Sequence, residues 1–400
     1  MAVSRVVVIG GGVIGLSTAY QLARLQVAEV VLLEKGRVGD GSSLRAAGIT
    51  TGLLWNETGV RARQIGIQLF RQLSEELEGY TYHNEQGCLN LFGPQTWPER
   101  RKLLPLYERL GTDSEVLDAS EIHRRWPVLE PPEDFVGLWD PVGGYSEPEQ
   151  YVPALAERIR QLGGEVRENQ KVIGFATSGQ TVTGVVTPDE TIEADAVVSA
   201  VHAWWPPLWQ QLDLRFPIKM FVHQRYVSQP VAHSWTAPPV NVDEYGGYFR
   251  PALGNRILLG VETADRSEHR VESLEFRMDE LRTPLAVRDA AVQRFAPYCS
   301  PIRDAQWESE HIGLLAFSAD GDPILGPVAD WPGLYVGTAF HSGGFSYNTV
   351  AGLLLAEYVV HGKTSLDVSG FSPARFEARD EIDRYLATTL PQSGAVRRRH

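Results

Sequence analysis

Gly10, Gly12 and Gly15 satisfy the pattern G-x-G-x-x-G within "GGGVIG", and Glu34 stands nineteen residues beyond the last of them. Alone the pattern is weak. Here it follows the apolar, β-branched run "RVVVIG", opens a stretch with helical spacing, and has its acidic residue at the end of a second apolar run, "EVVLLE". That context is the fingerprint of a dinucleotide site. The first glycine permits a tight turn, the second lets the backbone approach a pyrophosphate, and the third packs helix on strand. The helix N-terminus favours phosphate, and the Glu34 carboxylate would accept hydrogen bonds from ribose hydroxyls.

A second stretch, "GDGSSLRAAGIT" (residues 39–50), is built almost wholly of small residues around one arginine, Arg45. Such a run lets the chain pass close to a large ligand, and a guanidinium there would stabilise negative charge.

The elements that carry these residues follow from periodicity. Strand, helix and strand within about thirty residues make a βαβ unit with a parallel sheet and a right-handed crossover. Ile65, Leu69, Leu73 and Leu77 repeat at four-residue spacing and predict a helix, as does "YVPALAERIRQLGG" (151–164). Residues 81–144 read as strands and loops broken by prolines. Residues 216–317 are strand-rich, with "GGYFRPALGNRILLGVE" turning like a hairpin and a helical insertion at about 273–296. "PGLYVGTAFHSGGFSYNTVAGLLLAEYVV" is a strand, a glycine turn and an apolar helix at about 346–361.

The 400 residues carry a net charge of −13, which argues against nucleic acid as the main partner. Two cysteines, Cys88 and Cys299, make no disulfide framework and have no metal-ligand spacing, so no metal site is expected. No apolar run reaches the ~18 residues of a membrane span, and "MAVSRVVVIGGG" has no signal-peptide anatomy. A cytoplasmic protein is expected.

At this point the chain resembles the D-amino-acid-oxidase-like FAD oxidoreductases, which include sarcosine oxidase, glycine oxidase and dimethylglycine dehydrogenase. The resemblance rests on "VVVIGGGVIGLSTAYQLAR", "GSSLRAAGI", "IEADAVVSAVHAW" and "SADGDPILGPVADWPGLYVGTAFHSGGFSYNTVAGLLLAE", spread from end to end. It implies an α/β fold, with a Rossmann-type FAD-binding domain from 1–80, 145–215 and 318–400. An antiparallel-sheet substrate domain would come from 81–144 and 216–317. By the same resemblance Ser42 and Ser43 would bond phosphate oxygens, and the backbone at Ala47, Gly48 and Ile49 would line the isoalloxazine. Arg45 would sit beside pyrophosphate or reduced flavin. Gly343, Gly344, Phe345 and Ser346 would face the flavin's pyrimidine edge, and Val13, Ile14, Lys35 and Val172 would complete the cofactor contacts.

Departures from the family pattern are informative. Arg45 stands where dimethylglycine-dehydrogenase-like relatives attach a histidine to the flavin. "GLLAFSAD" lacks the cysteine that monomeric sarcosine oxidase uses, so FAD held non-covalently is expected. Leu258 occupies the place of the oxygen-activating lysine of sarcosine oxidase, which leaves oxygen or another electron acceptor open. His202 stands where relatives usually have glycine.

On the substrate side, Tyr248 and Arg250 share a strand face. Arg250 is the expected clamp for a substrate carboxylate, with Tyr245, Arg225 and Arg45 as competitors, and His341 could touch the substrate. These implications point to oxidation of a C–N bond in a small amino acid or N-alkyl amino acid of the sarcosine, glycine or proline kind. Hydride would pass to the flavin, and the resulting imine would hydrolyse. Two alternatives stay open. One is a 2-hydroxy-acid or polyol-phosphate dehydrogenase with His341 or His223 as base. The other is a non-catalytic FAD-binding assembly factor or subunit. A homo-oligomer or a hetero-oligomeric electron-transfer partner is compatible with either.

Overall fold

The computed structural model describes residues 3–26, 28–243, 246–261 and 268–396. The expected βαβ unit forms. The strand Arg5–Ile9 runs into the helix Val13–Leu25, which returns to the strand Glu29–Leu33, parallel to the first. These strands read as unbroken apolar runs because both faces of their sheet are covered. The helices Val13–Leu25, Pro148–Gln161 and Gly344–His361 cover one, and the strands Gly174–Ser178 and Thr181–Val186 with the short helix Trp205–Trp209 cover the other. That sheet has six strands, ordered Ile324–Pro327, Leu334–Thr338, Ala196–Ser199, Arg5–Ile9, Glu29–Leu33 and Glu165–Arg167. All neighbours are parallel except the first two, which form a hairpin.

The helix Gly344–His361 lies against Val13–Leu25 at very short range. A Cβ on Gly352 would come within 2.4 Å of the Ser17 backbone, so a glycine is required where the two helices touch. This packing buries Leu16, Ala19, Ala351 and Leu355 completely.

A second sheet has nine strands. Its central order is Trp307–Ser318, Ile218–Ser228, Arg256–Val261, Gly247–Ala252, Val240–Val242, Cys88–Phe92 and Val136–Asp140. The neighbours are antiparallel, apart from one parallel pair between Val240–Val242 and Cys88–Phe92. The hairpin read at 247–261 is present, turning through Gly254 and Asn255, both with positive φ.

Two readings of local structure change. Residues 81–144 also contain the short helices Trp97–Arg101, Leu104–Arg109 and Ala119–Arg125. The helical insertion begins later than expected: Leu285–Phe295 is helical, whereas the preceding residues carry only the 3-10 turn Met278–Glu280. The reason is visible in the hydrogen bonds. Lys35 Nζ donates to the carbonyls of Leu274 and Phe276, and Trp204 Nε1 also donates to Phe276. Carbonyls satisfied from outside do not need a helix. Among the described residues no helix is long and apolar enough to cross a membrane.

Candidate functional site: a dinucleotide-sized cavity between two sheets

One cavity of about 800 Å³ runs from Glu34 on the parallel sheet to Tyr248 on the nine-stranded sheet. At its first end Gly10 turns with φ 103°, a conformation that glycine adopts without cost. A Cβ on Gly15 would fall 1.9 Å from the Gly10 carbonyl oxygen, so the third glycine sits where helix meets strand. Around Gly12 the only atom such a Cβ would meet within 4 Å is Ser43 Oγ, and the backbone is otherwise open to the cavity. Glu34 accepts hydrogen bonds from the Gly11 and Gly36 amides at 2.7 and 2.8 Å and still lines the cavity. Burial raises its carboxyl above the ordinary range, against the pull of those amides. A carboxylate oxygen has a second acceptor position, so ribose hydroxyls can still be received.

The small-residue loop runs along the middle of the cavity. Arg45, Ala46, Ala47, Gly48 and Ile49 all line it, and a Cβ on Gly48 would collide with the Ser146 carbonyl at 2.0 Å. Arg45 Nη1 donates to the carbonyls of Asp40 and Gly41. Ser43 Oγ accepts from the Val13 amide at 2.9 Å, which leaves its own proton to meet a phosphate. Ser42 departs from expectation, because its hydroxyl donates to the Leu314 carbonyl at 2.8 Å.

At the far side Gly344, Phe345 and Ser346 line the cavity, with Ser346 Oγ donating to the Ile49 carbonyl. Gly343 sits behind them as the helix cap, its amide bound to the Phe340 carbonyl. Val13, Ile14 and Val172 also line the walls. Lys35 lines them as well, but its ammonium is directed to Leu274, Phe276 and the face of Trp204, 4.1 Å away. A dinucleotide fits these walls: open glycine backbone, an acidic end and a helix N-terminus share one elongated space.

The clamp expected at Arg250 needs correction. Arg250 is fully buried and is not among the residues lining the cavity. Nη1 and Nη2 reach the two Glu147 oxygens at 2.8 Å each, and Nε donates to the Ala47 carbonyl at 2.7 Å. Burial pushes the Glu147 carboxyl up, but the Arg250 charge and hydrogen bonds outweigh it and hold the group below its ordinary range. Arg225 behaves alike, with Nη2 donating to the Leu44 carbonyl and to Glu149. Both arginines thus brace the small-residue loop from behind, each balanced by a carboxylate at the start of the helix Pro148–Gln161. Tyr245 lies outside the described residues.

His341 lines the cavity but has its Nε2 within hydrogen-bond distance of the Ser318 amide and hydroxyl, at 3.3 and 3.2 Å. Lys219 is buried away from the cavity, paired with Glu268 at 2.8 Å. His202 is now explicable. Its φ of 46° is left-handed, a region where glycine is the unstrained choice, and its Nε2 lies 2.9 Å from the Leu314 carbonyl. Burial lowers its pKa.

Tyr248 does face the cavity, and its Oη lies 2.8 Å from His223 Nε2. Along one face of the sheet, Asn90, Asn241 and Tyr248 are direct cross-strand neighbours. Trp55, Phe92 and Arg100 extend this wall. Asn90, Asn241, Trp55, Phe92 and Arg100 escaped the sequence reading. The partnering of strands about 150 residues apart has no local signal.

The comparisons agree with this architecture. A profile described as "FAD dependent oxidoreductase" matches residues 5–358. The 4-methylaminobutanoate oxidase (formaldehyde-forming) of Paenarthrobacter nicotinovorans is 26% identical over 96% of this chain and 47% of its own length. The sarcosine oxidase subunit beta of an Arthrobacter species is 26% identical over 96% of this chain and 94% of its own. The crystal structure of L-proline dehydrogenase from P. horikoshii superposes with a TM-score of 0.85 at 24% identity, covering 93% of this chain and 97% of that one. The chain spans less than half the length of the first curated relatives it matches. With a match over most of its length and a cavity shaped for the family's cofactor, the chain belongs to the FAD dependent oxidoreductase family.

Proposed function

We propose that this protein oxidises the C–N bond of an amino acid or N-alkyl amino acid. The observation that carries the reading is the Tyr248–His223 hydrogen bond, 2.8 Å long, set in a cavity wall of aromatic and amide side chains. The relatives' names, which cite sarcosine, proline and 4-methylaminobutanoate, support it, since each of these is an amino acid with a secondary amine.

Glu34, Gly12, Ser43 and the start of the helix Val13–Leu25 would hold the dinucleotide, and the loop 45–49 with Gly344–Ser346 would flank its ring. FAD bound there supplies a hydride acceptor. The protein's own task is to present the substrate as a neutral amine, because an ammonium group cannot support hydride loss from the neighbouring carbon. A substrate ammonium N–H can donate to Tyr248 Oη while the tyrosine proton moves to His223 Nε2. That leaves a neutral amine and an imidazolium. Water completes hydrolysis of the imine product.

The test is an anaerobic screen in which flavin absorbance is followed with amino acids, N-methyl amino acids, amines and 2-hydroxy acids. Bleaching by secondary or primary amino acids supports the reading. Bleaching by hydroxy acids alone overturns it, and bleaching by none of them points to a non-catalytic FAD-binding subunit.

A further inference from the structure

We propose that Arg100 binds the substrate carboxylate, and that this carboxylate stands several carbons from the oxidised C–N bond. The proposal rests on the amine-oxidising reading above. Arg100 belongs to the short helix Trp97–Arg101, is only 6% exposed, and lines the cavity. Its guanidinium lies 3.8 Å from the centre of the Trp55 ring and 5.0 Å from that of Phe92. Nη1 donates to the Leu53 carbonyl and the Tyr107 hydroxyl, which fixes the plane of the group. Nε is buried without an acceptor, and no carboxylate among the described residues is paired with Arg100.

Aromatic faces offset only part of the cost of taking a cation out of water. The contrast with Arg225 and Arg250 is informative, because each of those buried guanidinium groups has its own glutamate. A buried arginine with no carboxylate beside it can be completed by an anion from outside. A carboxylate in the plane of the guanidinium is the simplest such partner.

Position sets the length of that partner. Phe92 is two residues from Asn90 and shares its face of the strand Cys88–Phe92. Asn90 pairs with Asn241, Asn241 with Tyr248, and Tyr248 with Gly260. The Tyr248 ring leans over Gly260, where a Cβ would meet its Oη at 2.3 Å. The anion-binding end therefore overlies one strand and the proton-accepting pair overlies a strand three places away, about 14 Å along the sheet. The two side chains lean across part of that span and the ligand must cross the rest. This spacing favours a carboxylate separated from the amine by three or more methylenes over an α-carboxylate, which stands one carbon from the reacting nitrogen.

The experiment uses the FAD-loaded protein with N-methylglycine, 3-(methylamino)propanoate, 4-(methylamino)butanoate, 5-(methylamino)pentanoate and the carboxylate-free N-methylbutylamine. Expected is a kcat/KM that rises by about 10-fold or more from N-methylglycine to the longer acids. In Arg100→Gln, KM for those acids should rise about 30-fold, with kcat little changed and N-methylbutylamine unaffected. Arg100→Lys should recover part of the loss. As a readout independent of turnover, pentanoate should raise the melting temperature of wild type and not of Arg100→Gln. Flavin content and melting temperature check that each variant is folded. If N-methylglycine is the best substrate, or if Arg100→Gln leaves KM for the acids and the pentanoate shift unchanged, the proposal is overturned. If no amine bleaches the flavin, the catalytic reading fails instead, and pentanoate binding still decides Arg100.

Discussion

Arg250 and Glu147 face each other as a two-point ion pair, Nη1 to Oε1 and Nη2 to Oε2, both at 2.8 Å and both out of solvent. Because Arg250 Nε also holds the Ala47 carbonyl, the pair acts on the loop that lines the cavity and not on a substrate. Removing one partner strands a buried charge, at a cost of about 3–5 kcal/mol. Glu147→Gln strands the Arg250 charge, whereas Arg250→Lys keeps the charge but loses the two-point contact and the bond to Ala47. Both should lower melting temperature and FAD affinity together, the first by more. Thermal unfolding and flavin titration check this. A variant with normal stability and flavin content but a raised KM would restore the substrate-clamp role to Arg250.

Tyr248→Phe removes the hydroxyl that bonds His223 and faces the cavity. Its kcat/KM should fall about 100-fold at pH 7 and recover at high pH, where the substrate amine is already neutral. FAD content should not change. Stopped-flow reduction across pH 6–10 measures it, and a profile parallel to wild type would remove the pair from the mechanism.

The flavin should leave the polypeptide on acid precipitation. The three histidines that line the cavity, His202, His223 and His341, each have Nε2 within hydrogen-bond distance of a protein group, and no cysteine lines it among the described residues. Yellow colour in the washed pellet would show a covalent link.

His202→Gly and His202→Ala both lose the contact with Leu314, but only alanine keeps the side-chain clash at a φ of 46°. The glycine variant should be the more stable by about 1–2 kcal/mol, read from chemical denaturation. Equal stability would mean that the strain relaxes elsewhere.

Lys35 gives a pH dependence. Burial, opposed by Glu34 and Glu275, holds its ammonium at about 8 against an ordinary 10.5. Between those values the unfolded chain binds more protons than the folded one, so stability rises with pH. Lys35's contribution is fully present above 10.5 and lost as pH falls through about 8. In flavin-free protein, the stability of wild type relative to Lys35→Gln should grow between pH 8 and 10.5. A flat difference in urea titrations would refute this.

The dinucleotide end of the cavity, from three glycines through a buried strand to Glu34, is legible from neighbours in the chain alone. The same is true of the apolar helix after "HSGGF" and of the hairpin at 247–261. Strand and helix periods, glycine turns and acidic strand ends are short-range properties, so they survive in one dimension. Arg250 shows the limit. Its alternation with Tyr248 correctly put the two on one strand, yet Glu147, a hundred residues earlier, decided where its charge was spent. Arg100 shows the converse, since nothing near it in the chain marks it as facing a cavity. The role of a buried charge is set by whichever opposite charge folding brings beside it, and that pairing exists only once the nine-stranded sheet has closed against the helix at 148–161.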